Sequence, residues 1–266
     1  MSVKSTTASE VIDRFAKRSG LAASRLQSWR ADPTKAAVVP RVESHVVSTM
    51  YNLTPDDVIS VCERTEHALG DVRKADAMRV EEIRDWHPAF AFTHVFHFAV
   101  EEAKRLPTYT EFRDYCRDDT FGNTALWAPA QEAINRAATS CDRQSARAAM
   151  RWRIGNAYYS FIREAFVLSV LRASGLEAEL HPLADALFRV DLWIENVNVS
   201  LFIGNNTFRS EGQGRKDRPE QLLSDARPPF RFHSIQLTTQ HRFGVVHLPA
   251  RAEIERCAIE LVALLP

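Results

Sequence analysis

The feature that most restricts what this chain can fold into is a run around residue 168. Ala165-Phe166-Val167-Leu168-Ser169-Val170-Leu171 offers no polar face beyond one hydroxyl, and a helix apolar all round must be packed on several sides. The pattern reaches back to Ala149, so a helix is expected over 149–173, stopped by Gly175. Three short strand-like runs follow, at 176–180, 187–194 and 197–203. The last two alternate with period two. In the first of them Phe188, Val190, Leu192 and Ile194 oppose Arg189, Asp191 and Trp193; in the second Val197, Val199, Leu201 and Ile203 oppose Asn198, Ser200 and Phe202. Glu195-Asn196 suits a two-residue hairpin turn, and counting from it sets Asp191 across from Ser200. Glu164 stands at the entry to the apolar run with Ser160, Phe161, Val167 and Leu168 one turn away. A carboxylate there needs a metal or an ion-pair partner, for which Arg153 and Arg163 are in reach.

Further on, the patterns predict a helix over 218–226, strands over 230–238 and 243–248, and a closing helix over 250–265. This order, with Glu164 on the first helix and Asp191 on the second strand, resembles the PD-(D/E)xK nuclease superfamily over residues 149–266. The resemblance implies an α+β fold, a helical N-terminal region followed by a restriction-endonuclease-like α/β core of helix, three-stranded meander, helix, two strands and helix. It also implies Asp191 as the metal-binding acid, Glu164 as an accessory acid, Mg²⁺ as cofactor and DNA as substrate. The family's third strand carries Glu-x-Lys. Here Ser200 and Phe202 stand at those positions, or Asn198 and Ser200 one register away, and none is charged. Lys216, in a basic segment with Gly212, Gly214, Arg215 and Arg218, could supply the lysine and complete a catalytic set of Glu164, Asp191 and Lys216. The same segment also reads as a loop that touches phosphate without chemistry. The missing carboxylate would still need a source, and His181 and Asp185 lie just before the second strand.

The first 40 residues carry a second signal. Thr7 or Ser9 can cap a helix running through Val11 to Arg18, Gly20 breaks it, and a second helix is expected over 22–30. Ala16, Gly20 and Leu26 have the spacing of a small contact residue, a turn glycine and a locking apolar residue, and the segment resembles a helix-turn-helix unit. That resemblance implies Ala23, Ser24, Arg25, Gln27 and Ser28 near base edges and Arg30 and Lys35 near phosphates. Seven Lys or Arg stand against three Asp or Glu up to Ala36. The whole chain is balanced at 34 of each, so any nucleic-acid contact must come from such local patches.

Residues 41–148 read as helical. Thr54-Pro55-Asp56-Asp57 opens a helix expected to run to Leu69. His94, His97 and Glu101 share a face of another, over 88–105, with His87 just before it. They suit zinc ligands or, among Phe90, Val95, Phe96 and Phe98, hydrogen-bonded core histidines, and the second reading is preferred because no second ligand cluster matches. A third capped helix follows Thr108 or Thr110, and Asp118-Asp119 falls in a turn. Cys62, Cys116, Cys141 and Cys257 form no paired motif and read as reduced thiols, which predicts a cytoplasmic protein. No apolar run reaches membrane length.

Three units are therefore expected: 1–40, 41–148 and 149–266. The favoured function is a nucleic-acid-binding protein whose nuclease-like domain is degenerate and which recognises or scaffolds, with bacterial defence or a mobile element as a setting suggested by analogy. The alternatives are an active Mg²⁺-dependent DNA nuclease using Lys216 and a helix-turn-helix regulator in which the back domain dimerises. DNA is the expected partner, a protein partner or homodimer remains open, and no membrane is involved.

Overall fold

The computed structural model describes residues 4–204 and 218–265. The fold is α+β. A 31-residue helix, Arg143–Ala173, runs through it, about 46 Å at 1.5 Å per residue. It begins six residues before the apolar pattern does because Asp142 caps it, accepting from Ser145 N–H at 2.9 Å. It ends where Gly175 takes φ +87°. Its two halves serve different cores. Ala146, Ala149 and Met150 join a small cluster with Ala77, Val80, Ile83 and the Ala128–Ala137 helix. From Tyr158 to Leu171 it enters the main cluster, which extends from Ala8 to Leu261. At Gly155 the loop before Gly70 comes so close that an added Cβ would sit 2.9 Å from the Ala68 carbonyl carbon. Only glycine fits there.

The main sheet has three strands in the order Leu192–Ile194, Val197–Ile203, Arg231–Leu237. The first pair is antiparallel, with Leu192 opposite Val199 and Ile194 opposite Val197, so the turn is Glu195-Asn196 as the count required. The second pair is parallel, joining Val197 to Arg231 and Ile203 to Leu237. Glu179 adds one isolated antiparallel bridge to Trp193, all that forms of the strand expected at 176–180.

Other expectations need correction. Residues 187–191 are not strand: Ala184–Phe188 is a π-helical turn and Arg189 adopts a left-handed φ of 60°, which breaks the alternation before Leu192. Residues 243–248 are not one strand of the sheet. Gly244 turns at φ +55° and makes a separate hairpin of His241–Phe243 with Val246–Leu248. The crossover helix covers only Pro219–Leu222. The helix opened by Thr54 ends at Arg64, because Thr65 turns its backbone extended and its hydroxyl accepts from Tyr109 N–H at 3.0 Å.

Of the N-terminal helices, Ala8–Phe15 packs on the edge strand through Phe15 against Trp193, and Gly20–Ala31 packs against the Ala184–Phe188 turn. A reciprocal Thr7–Glu10 capping box starts the first. Phe15 is fully buried, its ring 5.2 Å from Phe188, 5.6 Å from Trp193 and 5.4 Å from Phe230. Gly20 opens the second helix, where the sequence predicted a breaker, since Ser19 caps it by accepting from Ala22 N–H at 3.1 Å. Among the described residues, no helix is long and apolar enough to cross a membrane, and the four cysteines are free thiols.

Candidate functional site

The long helix delivers Glu164 toward the start of the hairpin. The residue keeps some surface at the exterior, but its carboxyl group lies among enough protein that desolvation, with Asp191 and Asp185 adding to it, holds its pKa well above the ordinary carboxylate range. Neither basic neighbour answers it. Arg163 donates to the His247 carbonyl at 2.9 Å and Arg153 to the carbonyls of Ile83 and Trp86. The hydrogen bond Glu164 does receive is a long one from Ser160 Oγ, 3.5 Å. Three carboxylates thus act on one region.

Asp191 sits just outside its strand, one pair beyond Leu192–Val199, which sets it opposite Ser200 as expected. Its Oδ2 accepts from the Leu201 N–H at 2.6 Å. Asp185, on the π-helical turn, holds His94 Nε2 at 2.6 Å. On the central strand Asn198 is 2 % exposed with neither amide atom hydrogen-bonded. A carboxylate at that place would be a buried charge, which explains why an uncharged residue suits it.

These donors do not fit a divalent metal as they stand. Asp191 is turned onto backbone and Asp185 onto an imidazole, and the third-strand positions are neutral. Among the described residues no group of three or more His, Cys, Asp or Glu side chains is arranged to hold a metal ion. Lys216 and Arg215 lie outside the described residues.

The histidines of the Phe92–Ala103 helix divide between roles. Glu101 is anchored elsewhere: it accepts from the N–H groups of Ser48 and Thr49, both at 2.9 Å, and from both hydroxyls. His97 packs edge-on to Phe161 and stands 6.5 Å from His45, itself 5.4 Å from His181. Burial pushes His45 down to about 4 and His181 down to about 3, and holds His97 well below its ordinary value. His94 and His97 are buried, as the core reading of that helix expected.

His94 and its partner's turn also form one wall of a cleft of about 450 Å³, faced by the second N-terminal helix. Arg25, Ser28, Trp29, Asp32, Lys35 and Arg189 line it, with Lys35 paired to Asp32 at 2.7 Å. Of the residues singled out for DNA, Arg25, Ser28 and Lys35 therefore line one feature. Gln27 is exposed, Arg30 pairs with Glu43, and Arg218 precedes the crossover helix, its N–H donating to Gln221 Oε1 at 3.1 Å.

Much of the N-terminal basic excess is engaged within the fold. Arg14 reaches the Glu195 carbonyl, Arg18 donates to Asn196 Oδ1 at 3.0 Å, and Lys4, Lys17 and Lys35 pair with Glu179, Asp13 and Asp32. Asp225 occupies the start of the second helix, accepting from Gly20 N–H at 2.8 Å and Leu21 N–H at 3.1 Å. That carboxylate stands at the helix end which a helix-turn-helix would turn toward bases.

Arg189 and the His94–Asp185 pair were missed in the sequence. The pair joins residues 91 apart, so no local motif announces it.

No family model, no curated protein and no solved structure matches this chain.

Proposed function

We propose that the protein binds nucleic acid through a nuclease-like core that does not cleave, and acts as a recognition or scaffolding subunit. The observation that carries this reading is that Asp191 and Asp185 add to the burial that raises the Glu164 carboxyl, beside a mixed sheet whose order is helix, antiparallel pair, crossover and parallel strand. The uncharged Asn198, Ser200 and Phe202 on the central strand favour binding over cutting, because activating a water at phosphorus needs positioned charge. The cleft beside the same π-helical turn carries Arg25 and Arg189 together with the Lys35–Asp32 pair, and the arginine forks suit phosphate oxygens. A setting in bacterial defence or a mobile element remains an analogy with nuclease-like proteins.

The test incubates supercoiled, linear and single-stranded DNA with Mg²⁺ or Mn²⁺, comparing wild type with Asp191→Ala, and measures band shifts at two salt concentrations for wild type and Arg25→Ala. Binding that weakens with salt, no cleavage by either protein, and a loss of affinity in Arg25→Ala are expected. Metal-dependent cleavage abolished by Asp191→Ala would establish the active nuclease instead. No shift of any nucleic acid at low salt would end the reading.

A further inference from the structure

The two apolar clusters do not close on each other completely. At their seam, where the long helix passes from one to the other, lies a cavity of about 400 Å³. Tyr109, Phe112 and Leu126 wall it from the main cluster and Ile134 and Met150 from the smaller one. Trp127, half-buried, stands between them at the end of a π-helical turn, Asn123–Trp127. Such turns widen the helix by one residue and recur at functional sites; here the turn carries Leu126 and Trp127 into the cavity wall.

The polar part of the lining has one sign. Arg113, Arg147 and Arg151 border the cavity, and no acidic side chain does so among the described residues. Arg151 is fixed by donating to the carbonyls of Ala68 and His67, each at 3.0 Å. Arg113 and Arg147 are exposed and make no ion pair among the described residues; Arg113 lies 5.9 Å from the Tyr109 ring. Ligand pockets combine such a mostly apolar wall with a few convergent polar groups, in this size range. The site is separate from the acidic centre, since Glu164 follows Ile154 by ten residues, about 15 Å along the helix.

We propose that this cavity binds a small amphipathic carboxylate, its apolar body against Phe112, Trp127 and Met150 and its head between Arg113 and Arg147 at the rim. Arginine suits the head because its planar fork presents paired donors to a carboxylate. The aromatic wall suits a flexible chain or a flat ring, and neither needs a polar group deep in the cavity.

Calorimetric titration with dodecanoate, dodecanol and acetate tests it on the full chain, comparing wild type with the double variant Arg113→Ala, Arg147→Ala. Both arginines are exposed, so the variant keeps the packing. Saturable dodecanoate binding by wild type is expected, weaker by about tenfold or more in the variant, with dodecanol likewise weaker and acetate silent. Ala130→Phe, which fills the cavity from its buried wall, should abolish dodecanoate binding while circular dichroism stays unchanged. Absence of dodecanoate binding by wild type, equal binding by the double variant, or equal binding of dodecanol would each overturn the proposal.

Discussion

Replacing Phe15 with alanine should destabilise the whole protein, not one end of it. The ring is fully buried and meets three aromatic partners, Phe188, Trp193 and Phe230, which come from the π-helical turn, the edge strand and the approach to the parallel strand. Truncating a buried phenylalanine costs about 3–5 kcal/mol, and aromatic pairs add roughly 0.5–1.5 kcal/mol each beyond burial. The upper end of the first range is therefore expected, a large share of the roughly 5–15 kcal/mol that stabilises a folded chain. For a chain of this size that is a fall in Tm of roughly 10 °C or more. Urea unfolding followed by tryptophan fluorescence and far-ultraviolet circular dichroism is the assay. One coincident transition, moved to lower urea, is the expected result. A main transition displaced by less than about 0.5 kcal/mol, or a separate early transition for the first 40 residues, would show that the front folds alone and that its packing on the sheet is dispensable.

Three further outcomes follow from particular residues. His45, His97 and His181 are held neutral by burial, so they release protons on folding; their stability contribution is full above the ordinary histidine value near 6.5 and is lost as pH falls toward 4 and below. Glu164 acts the other way, because its raised value favours the protonated folded state and opposes folding as pH rises. Glu164→Gln should thus gain stability on wild type with increasing pH, little at pH 4 and most at pH 8; a difference independent of pH in urea titrations would contradict the burial of that carboxyl. Gly155→Ala should destabilise by about 1 kcal/mol or more although alanine is the better helix former, because the new Cβ would meet Ala68 backbone atoms at 2.9 and 3.0 Å; a higher Tm would refute it.

What could be read from the sequence was whatever local chemistry decides. The apolar run fixed the long helix, Glu195-Asn196 set the hairpin register, and capping residues marked helix starts at Thr7, Thr54 and Thr108. The strand at 187–191 was misread because nothing in Arg189 announces a left-handed backbone, which its surroundings impose at a cost that glycine would not incur. The hairpin at Gly244 was legible in principle, since glycine flanked by short apolar runs is a turn signal. Glu164 and Asp191 stood out because acids in apolar runs are anomalous. The His94–Asp185 pairing did not, as the two stand in separate local patterns and only the fold brings them together.

The same packing decides how nucleic-acid binding has to be tested. Deleting residues 1–40 removes Ala8, Val11, Phe15, Ala22, Leu26, Trp29 and Val38 from the main core, so lost binding after that deletion would report unfolding as readily as a lost contact. Substituting Arg25 leaves the apolar contacts in place and changes the charge on the cleft wall. The two causes also differ in their dependence on salt. A lost phosphate contact lowers the slope of log affinity against log salt by about 1 and leaves the remaining contacts intact, whereas unfolding abolishes binding at every salt concentration. A reduced slope at unchanged Tm is therefore the signature that ties the cleft to phosphate, and an unchanged slope would place any nucleic-acid surface elsewhere on the chain.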